Sequence, residues 1–208
     1  MKHSKALTAI VLVLLIAGAA FALAQETKAP AKQEPAKPMD QKAVMEMMMK
    51  LAAPGEAHKK LDVMIGTWQV KNSMWMAPGQ PPMVSEGTSE HKWVLGGRFI
   101  EQRFEGTFMN MPFSGLGYTG YDNYKKKYLS VWMDTAGTTI MNTAGAFDAS
   151  GKALTSWGRV DDPSIGKVVL VRDKMTIVSK DELLFEMWSP GPDGKDFRMM
   201  EIRYTLKK

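Results

Sequence analysis

Polar side chains that interrupt apolar, alternating segments are the residues of this sequence best placed to do chemistry. Gln102 stands between Ile100 and Phe104 in one such segment, and Trp132 and Asp134 share a face of another. Successive residues of a strand point to opposite faces, so each set is expected to face one side of a sheet. A mixed aromatic and polar face of this kind is typical of a cavity lining, because buried polar groups must find partners.

Two further carboxylates belong to the same group of candidates. Glu186 lies two positions before Trp188, and Glu201 lies two positions before Arg203, so each pair shares a strand face. Together with Asp134, these glutamates are candidates for acid–base catalysis on a small lipophilic substrate. That chemistry needs two carboxyl groups to meet in a cleft, with the pKa of one raised by burial. The alternative for each residue is a structural hydrogen bond or a solvated surface.

Catalytic motifs are otherwise missing from the sequence. It contains no G-x-S-x-G nucleophile elbow, no phosphate-binding loop and no G-x-G-x-x-G segment following a strand. No catalytic residue is therefore assigned, and enzyme activity is kept as an alternative to ligand binding.

Composition limits the metal and cofactor chemistry. The chain has no cysteine and three histidines, of which His3 lies near the N-terminus and only His58 and His91 remain further on. Thiolate sites and three-histidine zinc sites are excluded, as is haem ligation by a histidine late in the chain. His91 is the better functional candidate, because it shares a strand face with Trp93; the alternative for both histidines is a surface or hydrogen-bonded role. No cofactor is predicted.

Methionine is used heavily, with 18 in the chain. Clustered thioethers suit Cu(I), and an exported protein could use them in this way. The other interpretation is that methionine fills irregular gaps in the core and forms adaptable apolar surfaces. The methionines are spread over a helix, strands and turns without neighbouring histidines, which favours the second interpretation and leaves Cu(I) binding as a minor alternative.

The first 24 residues have the order of a secretory signal peptide. Two lysines precede an apolar stretch from Ala6 to Phe21, and the tripeptide Ala22-Leu23-Ala24 predicts cleavage after Ala24. The alternative is an uncleaved anchor, since about 20 apolar residues cross a bilayer. The protein is expected in the periplasm or secreted, with no membrane segment after cleavage. Residues 25–40 are rich in Pro, Lys, Glu and Ala, which predicts a disordered linker.

The net charge of +5 does not indicate a nucleic-acid partner. Lys2 and Lys5 leave with the signal peptide, and seven lysines lie between residues 25 and 60, before the main body of the domain. A nucleic-acid binder concentrates its positive charge in the folded domain, which this chain does not do. Its oligomeric state is left open.

Residues 41–208 are predicted to form one domain. Helices are expected at about 41–51 and 56–64, followed from Thr67 by about ten short strands separated by Gly, Pro, Asn and Asp clusters. The pair Gly96-Gly97 is typical of a two-residue hairpin turn. The connections are too short for crossover helices, so consecutive strands must be antiparallel neighbours in an all-β meander. Closure into an up-and-down barrel would remove its exposed edges, and a flattened sandwich is the alternative.

The beginning and end of this predicted meander resemble the calycin superfamily, which includes lipocalins and fatty-acid-binding proteins. Gly66-Thr67-Trp68 lies where a short helix meets the first strand, and Arg203 lies in the last strand. The resemblance implies that Trp68 packs beneath the barrel against Arg203, with the guanidinium over the indole in a cation–π contact.

A longer set of segments resembles the DUF1579 family, a group of largely bacterial proteins, over about residues 56–208. The segments that carry this resemblance are Val94–Phe99, Gly115–Asp122, Trp132–Asp134 and Met200–Tyr204. The resemblance implies the type of domain and no activity.

These observations lead to a hypothesis of an exported barrel that binds a small, largely apolar molecule. The candidate lumen residues are Gln102, Trp132, Asp134, Glu186 and Glu201. The alternatives are an enzyme that uses the lumen carboxylates, and an envelope interaction module or methionine-based Cu(I) binder.

Overall fold

Ten antiparallel strands, each hydrogen-bonded to its neighbours in sequence, form a closed barrel in which the last strand pairs with the first. The computed structural model describes residues 40–162, 165–191 and 193–208. The strands are β1 (Gly66–Met74), β2 (Met83–Val94), β3 (Phe99–Phe108), β4 (Met111–Asp122), β5 (Lys127–Asp134), β6 (Met141–Phe147), β7 (Ala153–Asp162), β8 (Lys167–Ser179), β9 (Glu182–Pro190) and β10 (Asp196–Leu206). The predicted all-β, ten-strand up-and-down barrel is confirmed, and the sandwich alternative is wrong.

A short helical segment precedes the barrel. It consists of α1 (Gln41–Ala52), α2 (Glu56–Lys59) and a 3₁₀ turn (Asp62–Met64). The second predicted helix is therefore broken into two short pieces. The predicted signal peptide and nearly all of the predicted linker lie outside the described residues. No helix in the described ranges is long and apolar enough to cross a bilayer.

The helical segment is fixed to one end of the barrel by side chains of the strands and turns. Trp93 Nε1 donates a hydrogen bond to Asp62 Oδ1 at 2.8 Å, and Tyr128 OH donates to the carbonyl of Ala57 at 2.9 Å. Asn123 Nδ2 donates to two carbonyls at the end of α1, each at 2.8 Å. The bonds from Tyr128 and Asn123 satisfy backbone carbonyls of the kind that a helix end leaves unpaired. The segment thus covers this end of the barrel.

The apolar core lies beneath the helical segment. Its buried members come from the segment itself and from the nearby ends of the strands, and they include Leu61, Met64, Trp68, Val70, Ile100, Tyr128, Leu154, Leu183 and Tyr204. One end of the barrel is consequently filled by packed side chains.

The hairpin between β2 and β3 differs from its prediction in length. Val94 pairs with Phe99, so the connection has four residues and not two. Leu95, Gly96 and Gly97 all have positive φ, at 50°, 64° and 79°. The sequence predicts that Gly96 and Gly97 alone form the turn. In the structure Leu95 also adopts the left-handed conformation, although only glycine does so freely.

Candidate functional site

A cavity of about 370 Å³ occupies the interior of the barrel, and all ten strands contribute to its wall. Its lining is mostly apolar and includes six methionines and several aromatic rings. From Met64 near the helical segment it extends to Met74, Phe108 and Ala136 at the opposite strand ends. Pockets that bind small molecules are usually concave and mostly apolar, with a few polar groups. The lumen is therefore the candidate binding site.

Gln102 lies in the lumen, as the alternation of β3 predicts. Its Nε2 donates hydrogen bonds to Ser89 Oγ at 3.2 Å and to Tyr204 OH at 3.4 Å. Ser89 Oγ also shares a hydrogen bond of 2.9 Å with Nε2 of His91. This polar chain lies between the packed end of the barrel and the cavity, so Gln102 connects the cavity wall to the core.

His91 is a buried residue of the core and not a lumen ligand. Its ring lies between those of Trp68 and Tyr204, with centroid distances of 6.3 and 5.8 Å. Burial lowers the pKa of His91 to about 4, against a smaller upward effect of the Met64 backbone. Burial likewise raises the pKa of Tyr204 to about 12. Both groups are neutral near pH 7, which suits their position among apolar side chains.

Trp132 and Asp134 also face the lumen together, as predicted. Trp132 Nε1 donates to Asp134 Oδ2 at 2.8 Å, and the amide of Ala136 donates to Asp134 Oδ1 at 2.9 Å. The carboxylate of Asp134 is thereby held at the end of β5 away from the helical segment. It orients the indole as part of the cavity wall.

Glycines on the neighbouring strand β4 make room for that indole. A methyl group on Gly115 would overlap the Trp132 ring, and one on Gly117 would lie 3.0 Å from its Cε3 atom. The G-x-G-x-x-G spelled by residues 115–120 therefore lies inside β4, where its first two glycines accommodate an aromatic side chain. It does not form a phosphate-binding turn.

Glu186 and Glu201 were predicted to face the lumen, and this prediction is wrong. They lie opposite each other on β9 and β10, on the outer face. Arg198 Nη1 lies 2.9 Å from Glu186 Oε1 and 2.6 Å from Glu201 Oε2. Inward positions on these strands belong to apolar residues such as Phe185 and Ile202. The expected group of three lumen carboxylates, with Asp134, is not formed.

The predicted contact between Trp68 and Arg203 is also wrong, although Trp68 itself is fully buried beneath the helical segment. In the pairing of β1 with β10, Trp68 lies opposite Leu206, whereas Arg203 lies opposite Lys71. Arg203 is three positions from Leu206, an odd number, so its side chain points to the face opposite that of Trp68. On this outer face it is 51% exposed and contacts Glu182 and Glu201. Trp68 Nε1 instead donates to the carbonyl of Met64 at 2.9 Å.

One acidic lumen residue that the sequence pattern did not reveal is Asp173, at the middle of β8. Its carboxyl group lines the cavity and is only 6% exposed. It lies opposite Ser156 on β7 and Met187 on β9. Within the described part of the chain, Oδ1 of Asp173 has no hydrogen-bond partner. Burial raises the pKa of Asp173 to about 7.

The donor sets within the described residues do not assemble a conventional metal site. No group of three or more His, Asp or Glu side chains comes together there. The described methionines include six that line the lumen and seven that are exposed, four of the latter on α1. The polar groups of the lumen are thus hydroxyl groups, the amides of Asn72 and Gln102 and two aspartates, and they lie among thioethers and aromatic rings.

Comparisons with known proteins support the fold. A model of the family described as "Protein of unknown function (DUF1579)" matches residues 53–206. The structure is similar to Rv2717c from M. tuberculosis, with 13% identity and a TM-score of 0.55, covering 75% of this chain and all of that one. A redesigned beta barrel, mFAP1, bound to DFHBI, matches with 17% identity and a TM-score of 0.34, covering 74% of this chain and 100% of that one. At 13% identity the likeness to Rv2717c concerns the fold alone. A search of curated proteins finds no match.

Proposed function

The chain belongs to the DUF1579 family, and we propose that its barrel binds a small, largely apolar molecule in the lumen. The observation that carries this proposal is the cavity of about 370 Å³ inside the closed barrel. That volume lies at the lower end of the range of about 300–1,000 Å³ for small-molecule pockets. A core packed to normal density would leave few voids larger than a water molecule.

The two ends of the barrel differ in a way that favours binding. Trp68, Leu61 and Met64 are buried at the helical end, where they belong to the apolar core that stabilises the closed sheet. The cavity begins above this layer and continues to the opposite strand ends. The barrel therefore has a core of its own, and its upper part is free to serve a ligand.

The lining suits an apolar molecule with a limited polar part. Phe104, Phe113, Phe185 and the methionines offer apolar contact area, and methionine adapts its shape to different occupants. Ser130 and Thr119, which share a hydrogen bond of 2.9 Å, are among the few polar groups of the wall. Burial of apolar ligand surface contributes about 25 cal/mol per Å².

A calorimetric titration with 1-decanol tests the proposal. We expect saturable binding to the wild-type protein and strongly weakened binding to Ser130→Phe, whose added ring would occupy the lumen. Arg203→Ala changes an exposed side chain on the outer face and should bind as the wild type does. Equal binding by Ser130→Phe, with its fold verified by circular dichroism, would contradict a lumen site, as would no binding to the wild type.

A second experiment identifies the natural occupant. Native mass spectrometry of the protein purified from its own host should show a mass increment, and extraction into organic solvent should release the molecule. The Ser130→Phe variant prepared in the same way should lack the increment. An increment retained by this variant would place the molecule outside the lumen.

A further inference from the structure

Two side chains of the lumen, Asn72 and Asp173, each carry a buried oxygen with no hydrogen-bond partner among the described residues, and of the two only Asp173 can carry a charge. Its side chain is buried at mid-depth of the barrel, facing the cavity. Its neighbours across β7 and β9 are Ser156 and Met187, neither of which carries a charge. By contrast, Asp134 accepts hydrogen bonds at both of its carboxylate oxygens. Asp173 Oδ1 has no partner among the described residues.

An unpaired buried carboxyl group opposes folding. Transfer of such a group out of water costs free energy unless a hydrogen bond or an opposite charge compensates for it. Burial raises the pKa of Asp173 to about 7, because the charged form is poorly solvated there. The cation adjacent in sequence, Arg172, points to the outer face, where its guanidinium lies 4.1 Å from the ring centroid of Trp188. Arg172 therefore does not compensate the negative charge of Asp173.

The charges that line the described part of the lumen have one sign. Its titratable side chains are Asp134, Asp173 and Tyr204, and no lysine, arginine or histidine belongs to the lining. An anionic ligand would meet two acidic groups without a cation to pair with. A cationic ligand would find a carboxylate for its charge and aromatic faces for its body, including Trp132.

We propose that the occupant of the lumen is a lipophilic amine whose ammonium group pairs with the carboxylate of Asp173. This inference rests on the proposed function and names the chemical class of its ligand. The ammonium group donates to Asp173, and the Ser156 hydroxyl on the neighbouring strand is positioned to accept a second hydrogen bond. The apolar part of the amine contacts the methionines and aromatic rings of the wall.

Three probes of the same chain length separate this inference from simple apolar binding. Decylamine is cationic, 1-decanol is neutral and decanoate is anionic, so their bodies are matched and their charges differ. We expect wild-type protein to bind decylamine at least about tenfold more tightly than 1-decanol, since hydrogen bonds to charged groups are the stronger ones. Decanoate should bind most weakly of the three.

Two matched variants assign the preference to one carboxylate. Asp173→Asn should lose the preference for decylamine over 1-decanol, and circular dichroism verifies that the variant is folded. Asp134→Asn, the same substitution at the other lumen aspartate, should keep most of it. A preference that depends on Asp134 alone would overturn the assignment to Asp173.

The pH dependence gives an independent readout. Pairing with an ammonium group requires the carboxylate of Asp173, so decylamine should bind about tenfold more tightly at pH 8 than at pH 6, while the amine stays charged. The other titratable groups of the lining are Asp134 and Tyr204. The Asp134→Asn variant shows whether titration of Asp134 contributes to the pH dependence. Burial holds the pKa of Tyr204 at about 12, outside this range.

The outcomes of these titrations distinguish the two proposals. If 1-decanol and decylamine bind with equal affinity to the wild type, the amine inference is overturned and lumen binding stands. If decanoate binds most tightly, the sign of the inferred ligand charge is wrong. If none of the probes binds, both proposals fail.

Discussion

Asp173 on β8 lies directly opposite Ser156 on β7, and both side chains are buried where the strands face the lumen. Thr143 on β6 is buried on the same wall of the cavity. A buried carboxyl group without a partner for Oδ1, in a mostly apolar lumen, lowers the stability of the empty protein. A residue such as Asp173, which lowers stability, is expected where a position serves ligand binding and not folding.

Replacing Asp173 by asparagine should stabilise the empty protein above neutral pH. The pKa of Asp173 is raised from 3.8 to about 7 in the folded state, so the wild type binds more protons when folded than when unfolded and loses stability as pH rises from about 4 to about 7. Asparagine does not titrate. The stability of Asp173→Asn relative to wild type should therefore increase by roughly 2–4 kcal/mol between pH 4 and pH 8. Urea denaturation at both pH values measures this difference, and a constant difference would show that Asp173 is solvated.

His91 should produce the opposite pH dependence. Its pKa is lowered from 6.5 to about 4 in the folded state, so the unfolded chain binds the proton first as pH falls. The stability contributed by neutral His91 is present above pH 6.5 and is lost towards pH 4, by up to about 3 kcal/mol. In the His91→Gln variant this loss should be absent. Because Asp173 acts with the opposite sign in the same pH range, each variant must be compared with wild type at every pH. Parallel stability curves for His91→Gln and wild type would contradict burial of a neutral imidazole.

Removal of Trp68 should damage the barrel far more than removal of Arg203. Trp68→Ala deletes a fully buried indole and its hydrogen bond to Met64, at a cost of about 3–5 kcal/mol. Arg203→Ala loses exposed ion pairs, which contribute about 0–1 kcal/mol. The double mutant should show additive losses, since the two side chains lie on different faces of the sheet. Chemical denaturation of the three variants tests this, and strong coupling between the two sites would mean that they meet.

Gly115→Ala should disturb the lumen through Trp132. The added methyl group would overlap the indole, which must then leave the wall or strain the strand. Overpacking of this kind costs about 1–3 kcal/mol, and the displaced ring would reduce the cavity. Gly137→Ala, in the loop after β5, is a matched control because a methyl group there meets no atom closer than 3.9 Å. Unchanged stability and unchanged 1-decanol binding in Gly115→Ala would contradict the glycine-supported wall.

The fold could be predicted from the sequence because short segments between turn residues leave few topologies. Consecutive antiparallel strands and the need to cover sheet edges lead directly to a closed barrel. The faces of Gln102 and Trp132 followed from alternation within single strands. The faces of Glu186 and Glu201 could not be determined in this way, because β9 and β10 have apolar residues on both faces, and Trp188 beside Glu186 lies outside.

Asp173 was missed for the same physical reason. It interrupts the inward set Val169, Val171 and Met175, which is the signal that identifies Gln102 on β3. The outward positions Val168 and Leu170 are also apolar, so the sequence of β8 shows no alternation of apolar and polar residues that would identify its inward face. The error over Arg203 concerned pairing register, because the partner of Trp68 depends on how β1 and β10 align when the barrel closes.

The methionines of this protein provide the most direct measurement of lumen binding. Six of them line the cavity, namely Met64, Met74, Met141, Met175, Met187 and Met200. Another set is exposed and serves as an internal control, namely Met45, Met47, Met48, Met49, Met76, Met109 and Met111. In a protein labelled with ¹³C at the methionine methyl groups, NMR titration with 1-decanol should shift the signals of the lumen set in a saturable manner and leave the exposed set unchanged. Shifts confined to the exposed set, or no shift at all, would contradict a ligand site inside the barrel.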